Sequence, residues 1–140
     1  MQKRRVHFAI IGLGNIGRRL LELIERRHDL LSSRYGLEFH LVEAVDSTGV
    51  AVSPTGLDMR AIVDLKLAGQ GIANYPEWGL SGMSAMEMLH LRDFDLLVDV
   101  SPTNLRSGEP GLSCIRWTLL QGIPVVAANK GPLVLAYQEL

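Results

Sequence analysis

The stretch Gly12-Leu13-Gly14-Asn15-Ile16-Gly17, with what flanks it, constrains this chain most. Before it runs Val6-His7-Phe8-Ala9-Ile10-Ile11, an apolar run of the length of a buried strand. After it, Arg18 to Leu31 carries apolar residues at Leu20, Leu23, Ile24 and Leu31, near helical spacing. A G-x-G-x-x-G between a strand and a helix predicts the phosphate-cradling turn of a dinucleotide-binding unit. In such a turn Gly12 permits the sharp bend, Gly14 lets the backbone approach a pyrophosphate, and Gly17 lets helix and strand pack closely. The exposed N–H groups and positive dipole end of the helix then face the anion, which makes Gly12, Gly14, Asn15, Ile16 and Gly17 the candidate cradle. The hexapeptide alone recurs by chance, and a merely structural glycine turn is the competing reading.

Other patterns support a single α/β domain. Phe39 to Val45 reads as a second strand ending at Asp46, after a helix end with Gly36 as its stop. Ser47-Thr48-Gly49 and Ser53-Pro54-Thr55-Gly56 read as loop. Leu57 to Leu67 and Ala85 to Leu91 have helical spacing, with an irregular glycine-rich connection between them. Only a poor strand candidate stands near Ile72. Asp95 to Val100 predicts a buried strand running into Ser101-Pro102-Thr103-Asn104, followed by a helix from about Leu112 to Gln121. Pro124 to Ala128 predicts another buried strand, ending at Asn129-Lys130-Gly131-Pro132 before a last helix from about Leu133. Alternating strands and helices predict a Rossmann-like α/β fold, a doubly wound, mostly parallel sheet with helices on both faces. In such sheets the ligand crevice lies beyond the carboxyl ends of the strands, where every polar cluster named here falls.

Composition narrows the function classes. With 140 residues, 47% hydrophobic and 21% charged, the chain suits one soluble domain and is small for a complete two-substrate enzyme. A formal net charge of -1 gives no general attraction to nucleic acid or anionic membrane, and Lys3-Arg4-Arg5 reads as a solvated lead-in to the first strand. No apolar run reaches the roughly 20 residues of a membrane helix, and no signal peptide is evident. The single cysteine, Cys114, reads as a buried helix residue, and a cytoplasmic location is the expectation. His7, His28, His40 and His90 show no metal spacing, so no metal site is expected. Met83, Met86 and Met88 suit packing, and Trp78 and Trp117 lack the basic neighbours of a nucleic-acid surface.

The candidate site residues each carry two readings. Asp46 at a strand end can accept hydrogen bonds from an adenosine ribose, favouring NAD over NADP, or it can cap its own turn with Ser47 and Thr48. Arg60 or Lys66 could bring a cation to that pocket. Ser101, Thr103 and Asn104 offer hydroxyl, amide and backbone groups for a nicotinamide ribose or carboxamide, or simply a capped turn. Asp99 reads as a backbone partner, and Glu109 as helix-capping charge. Lys130, at a strand end, can point into the crevice toward a cofactor phosphate or a substrate oxygen. As a base it would need its pKa brought well below about 10.4.

Taken together, the chain resembles the N-terminal cofactor domain of homoserine dehydrogenase. The matching segments are 12–18, Ala44-Val45-Asp46-Ser47-Thr48-Gly49, Val98 to Pro110, and Val125-Val126-Ala127-Ala128-Asn129-Lys130-Gly131-Pro132-Leu133. The first is shared by many dehydrogenases; the last two are far more specific. The resemblance covers essentially the whole chain and is loosest between Val50 and Leu91. It implies interconversion of L-homoserine and L-aspartate 4-semialdehyde with NAD or NADP, on the route to threonine, methionine and isoleucine. It places the pyrophosphate on the glycine turn, Thr103 near the nicotinamide ribose, and Lys130 as the catalytic lysine between cofactor and substrate. The family's substrate and dimerisation domain, with a second catalytic lysine and a monovalent-cation site, would lie beyond Leu140. Residues 1–140 then read as a cofactor domain that binds but does not turn over alone, within a homodimeric enzyme. A stand-alone nucleotide sensor, or another semialdehyde or amino-acid dehydrogenase, is the competing reading; Asn129-Lys130 argues against both.

Overall fold

The computed structural model describes residues 2–91 and 93–140. Strand β1 (Arg4–Ile11) occupies the middle of a six-stranded sheet. Its parallel neighbours are β2 (Leu37–Asp46) on one side and β5 (Leu96–Asp99) on the other. Beyond β5 lies β6 (Val125–Ala127), also parallel. Side chains of β1 alternate between the two faces, as the strand's two-residue period requires. Phe8 and Ile10 enter one apolar cluster with Leu21, Ile62 and Val63, and Ala9 and Ile11 enter a second with Met88, Leu89 and Cys114. Helices therefore cover both faces: α1 (Asn15–Arg26) and α3 (Met59–Leu67) one, α4 (Ala85–Leu89) and α5 (Gly111–Leu120) the other.

Four differences from the sequence reading have physical causes. The segment read as loop after Asp46 is a hairpin, with β3 (Gly49–Val52) antiparallel to β2 and β4 (Gly79–Ser81) antiparallel to β3. Ile72, the poor strand candidate, opens a short 3-10 turn instead. A four-residue and a three-residue strand give too little period-2 signal between turn residues. Glycines permit the packing here: a β-carbon on Gly49 or Gly79 would collide with the carbonyl oxygens of Leu80 and Ala73 respectively. The region read as one long helix divides at Arg27, whose backbone (φ -103, ψ 9) leaves the helical range, and α2 (His28–Tyr35) follows. Gly36 stops α2 in the left-handed conformation at φ 65, as read from the sequence. Finally, β6 is an edge strand whose Val126 is 56% exposed and whose Ala127 is exposed too, so only Val125 of the strand read as buried packs against the core.

Short local devices fix the remaining elements. Asp58 caps α3 by accepting from the Ala61 N–H at 3.0 Å. Ser84 and Glu87 form a reciprocal capping box that starts α4. Glu109 accepts from the Ser113 N–H at 3.1 Å and from the Ser113 hydroxyl, the helix-capping role expected of it. The last helix, α6 (Gly131–Ala136), starts after Ala128, Asn129 and Lys130, which follow the end of β6.

A candidate dinucleotide crevice at the carboxyl edge

At the exit of β1 the three glycines do different work. Gly12 turns at φ +97, and a β-carbon there would stand 2.7 Å from the Val100 carbonyl oxygen and 2.8 Å from the Ser101 nitrogen. Gly17 lies against Gly12 itself, where a β-carbon would approach the Gly12 carbonyl oxygen to 2.5 Å. Gly14 is the opposite case: a β-carbon there would have no described atom within 4 Å. Two glycines thus seal the turn against the sheet while the third opens onto free space. That asymmetry fits a site in which a bulky anion approaches the Gly14 backbone. Gly14 is also the N-cap of α1, with no side-chain cap and no acidic residue in the first turn among the described residues. The positive end of the helix dipole is therefore left for a negative charge from outside. Asn15 and Ile16 are both exposed on this turn, and the Asn15 side chain accepts from Arg18.

Next to the glycine turn, β5 and β6 end together. Asp99, the last residue of β5, is fully buried. One of its oxygens accepts from the Ser101 N–H at 3.0 Å and the Ser101 hydroxyl at 2.6 Å, and the other from the Asn129 amide at 3.2 Å. Ser101 is thus turned inward, while Thr103 and Asn104 are exposed. Asn104 shapes its own loop, its side-chain oxygen accepting from the N–H groups of Arg106 and Ser107. Lys130 is exposed and forms the N-cap of α6, its carbonyl accepting from the Val134 N–H at 3.0 Å. Gly131, next in the chain, lies against Asn104, where a β-carbon would stand 2.9 Å from the Asn104 carbonyl oxygen. The structure therefore brings the glycine turn, Ser101 to Asn104 and Lys130 to one edge, as the sequence order implied.

Asp46 reaches the same edge at the end of β2, but its carboxylate faces inward. One oxygen accepts from the Thr48 N–H and hydroxyl at 2.8 and 2.6 Å. The other accepts from the Lys66 ammonium at 2.6 Å and the Ile72 N–H at 2.8 Å. With its side chain only 7% exposed and both oxygens doubly engaged, Asp46 has the arrangement of the turn-capping reading. Burial pushes its pKa up, but the bonds from Lys66, Thr48 and Ile72 outweigh burial and hold the carboxyl below its ordinary value.

No protein-family model matches the chain. The homoserine dehydrogenase of Methanocaldococcus jannaschii is 37% identical to it over 131 residues, covering 94% of this chain and 38% of that protein. The NAD(+)-dependent homoserine dehydrogenase of Pseudomonas canavaninivorans is 30% identical over 135 residues, again covering 94% and 38%. The chain is a homologue of the homoserine dehydrogenases. A solved mutant of a hyperthermophilic archaeal homoserine dehydrogenase, in complex with NADPH, superposes with a TM-score of 0.78 at 26% identity. That match covers 97% of this chain and 39% of the solved one. The homology thus extends over almost all of the chain, which spans a little under two fifths of these homoserine dehydrogenases.

Three residues at the edge of this homoserine dehydrogenase homologue escaped the sequence reading as site residues. Asp99 reads in the sequence as a backbone partner but accepts side-chain bonds as well, and Asn129 reads as part of the Asn129-Lys130 cluster at the ligand edge with no role of its own. Gly111, the first residue of α5, was not singled out. A β-carbon there would collide with an Asp99 carboxylate oxygen and stand 2.6 Å from the Asn129 amide nitrogen. These residues are 30 positions apart at the widest, so no local motif links them; a charged residue closing an apolar strand was the one signal. Cys114 lies buried beneath this edge, and burial, with the Asp99 and Glu109 carboxylates nearby, pushes its thiol up to about 12. Among the described residues no group of three or more His, Cys, Asp and Glu could hold a metal ion, and no helix is long and apolar enough to cross a membrane.

Proposed function

We propose that residues 1–140 form the NAD(P)-binding domain of a homoserine dehydrogenase that interconverts L-homoserine and L-aspartate 4-semialdehyde. The substrate and dimerisation domain would lie outside these residues, in a cytoplasmic homodimer of amino-acid biosynthesis. The observation that carries the reading is the open space at Gly14 between two sealed glycines, in a chain homologous to these enzymes along nearly its whole length. The bound nicotinamide would supply hydride transfer. The backbone of Gly12 to Gly17, with Asn15 and Ile16, would hold the pyrophosphate against the helix end. Ser101, Thr103 and Asn104 would shape the nicotinamide end, and Lys130 would present its ammonium to a cofactor phosphate or the substrate oxygen. Because Lys66 neutralises Asp46, the carboxylate no longer argues against a 2′-phosphate, and both NAD and NADP suit the site.

The test is calorimetric titration of the chain with NADH and NADPH, each repeated on a Gly14→Val variant. At φ -75 with no described atom within 4 Å of its β-carbon, valine fits the fold but fills the space the anion needs. Binding to the native chain that falls at least about tenfold in the variant supports the reading. A variant that binds as the native chain does removes the cradle from it.

A further inference from the structure

We propose that Asp99 and Asn129 form a buried positioning pair that sets the nicotinamide end of the crevice, acting through the 101–104 loop and Lys130 without touching a ligand. This inference rests on the cofactor reading above. Asp99 is an ionisable group with no exposure, and such a group is held in a protein only where donors meet its oxygens. The Ser101 N–H and hydroxyl and the Asn129 amide meet them here. The N-terminus of α5, whose Ser113 N–H is met by Glu109, closes over the pair at Gly111, where a β-carbon would collide with an Asp99 carboxylate oxygen. Asp99, from another element, adds a second negative charge beside that helix start.

Asn129 is 2% exposed and fully used. Its amide nitrogen donates to Asp99 and to the Ser101 hydroxyl oxygen, each at 3.2 Å, and its oxygen accepts from the Gly131 N–H at 3.1 Å. The amide orientation follows from its partners, since a carboxylate only accepts and a backbone N–H only donates. One side chain therefore holds three segments: the exit of β5, the Ser101 turn, and the backbone step just after Lys130. Gly131 in turn rests on Asn104. The exposed groups that would face the nicotinamide half of a ligand, Thr103, Asn104 and Lys130, are thus placed by a charge and an amide that stay out of the crevice. The glycine turn meets the pair only through the Val100–Ser101 backbone beside Gly12, whereas Asn104 and Lys130 are reached through Gly131, so the pair should influence the nicotinamide end of a bound dinucleotide more than the other.

An exchange of the two groups tests this. Asn129→Asp sets two acceptors face to face, and Asp99→Asn removes the charge; the double variant D99N/N129D restores a donor opposite an acceptor. Each protein is titrated with NADH and with ADP-ribose, which lacks the nicotinamide. Each single change is expected to weaken NADH about tenfold while ADP-ribose stays within about twofold, and the double variant to recover most of the loss. Gly111→Ala, which crowds the same pair without removing a group, should show the same selective loss and replaces any single variant that fails to fold. Equal loss of both ligands, no loss of either, or a double variant no better than the singles overturns the proposal. A native chain that binds neither ligand overturns the cofactor reading itself, and with it this inference.

Discussion

Gly12 and Val100 stand so close that a β-carbon on the glycine would lie 2.7 Å from the valine's carbonyl oxygen. This contact seats the exit of β1 against the exit of β5, and it sits two residues from Gly14, which faces no described atom within 4 Å. The two glycines should therefore respond in opposite ways to one methyl group. Gly12→Ala adds backbone strain at φ +97 to a collision with main chain that cannot swing aside. The two costs together are about 2–5 kcal/mol. Gly14→Ala loses only the modest preference of an N-cap for glycine, about 1 kcal/mol or less. Urea unfolding of both variants checks this, and similar losses for the two would show that the turn is not seated as described.

The parts of the fold legible in the sequence were those with a long, clean period. Val6 to Ile11, Phe39 to Val45 and Asp95 to Val100 each supply an apolar run long enough to name a strand, and Gly36 names a helix stop by its backbone freedom. Gly49 to Val52 could not be seen, because four residues between Thr48 and Ser53 carry no alternation and turn residues bound them. The exposure of Val126 was invisible for another reason: an apolar run shows that a strand is buried or half-buried, not which face meets other chain. At the carboxyl edge the positions of single residues with charge or special backbone were legible: the glycines, Asp46 and Lys130. The direction in which Asp46 points was not, since it depends on Lys66 and Ile72, 20 and 26 positions away. The Asp99–Asn129 pair was hidden in the same way, by distance along the chain.

The Asp46–Lys66 pair gives the chain an acid-sensitive joint between β2 and α3. Asp46 titrates below its ordinary value in the folded chain, so its contribution to stability is fully present above the unfolded carboxyl value of about 3.9. That contribution is lost as pH falls through the lower folded value. Stability measured by urea unfolding should therefore decline below about pH 4, and Asp46→Asn should flatten that decline. Lys66→Met should be costly at neutral pH because it strands a carboxylate that is 7% exposed. The remaining donors from Thr48 and Ile72 keep the loss near the lower end of the roughly 3–5 kcal/mol typical of a broken buried pair. A Lys66→Met variant as stable as the native chain at pH 7 would mean that the pair does not brace the fold.

Cys114 tests the packing beneath the site. Its thiol is buried, and burial with the Asp99 and Glu109 carboxylates pushes its pKa up to about 12, so almost no thiolate exists near pH 8. Since the thiolate is the reactive form, the folded chain should resist a thiol reagent such as iodoacetamide at pH 8. It should react at the rate of a free cysteine once unfolded in urea, where the ordinary value of about 8.5 returns. Mass spectrometry of modification against time, with and without urea, reads both rates. Modification in the native state within minutes would show that α5 opens readily from the sheet. In that case the Gly111 end of the same helix would not hold the Asp99–Asn129 pair rigidly either.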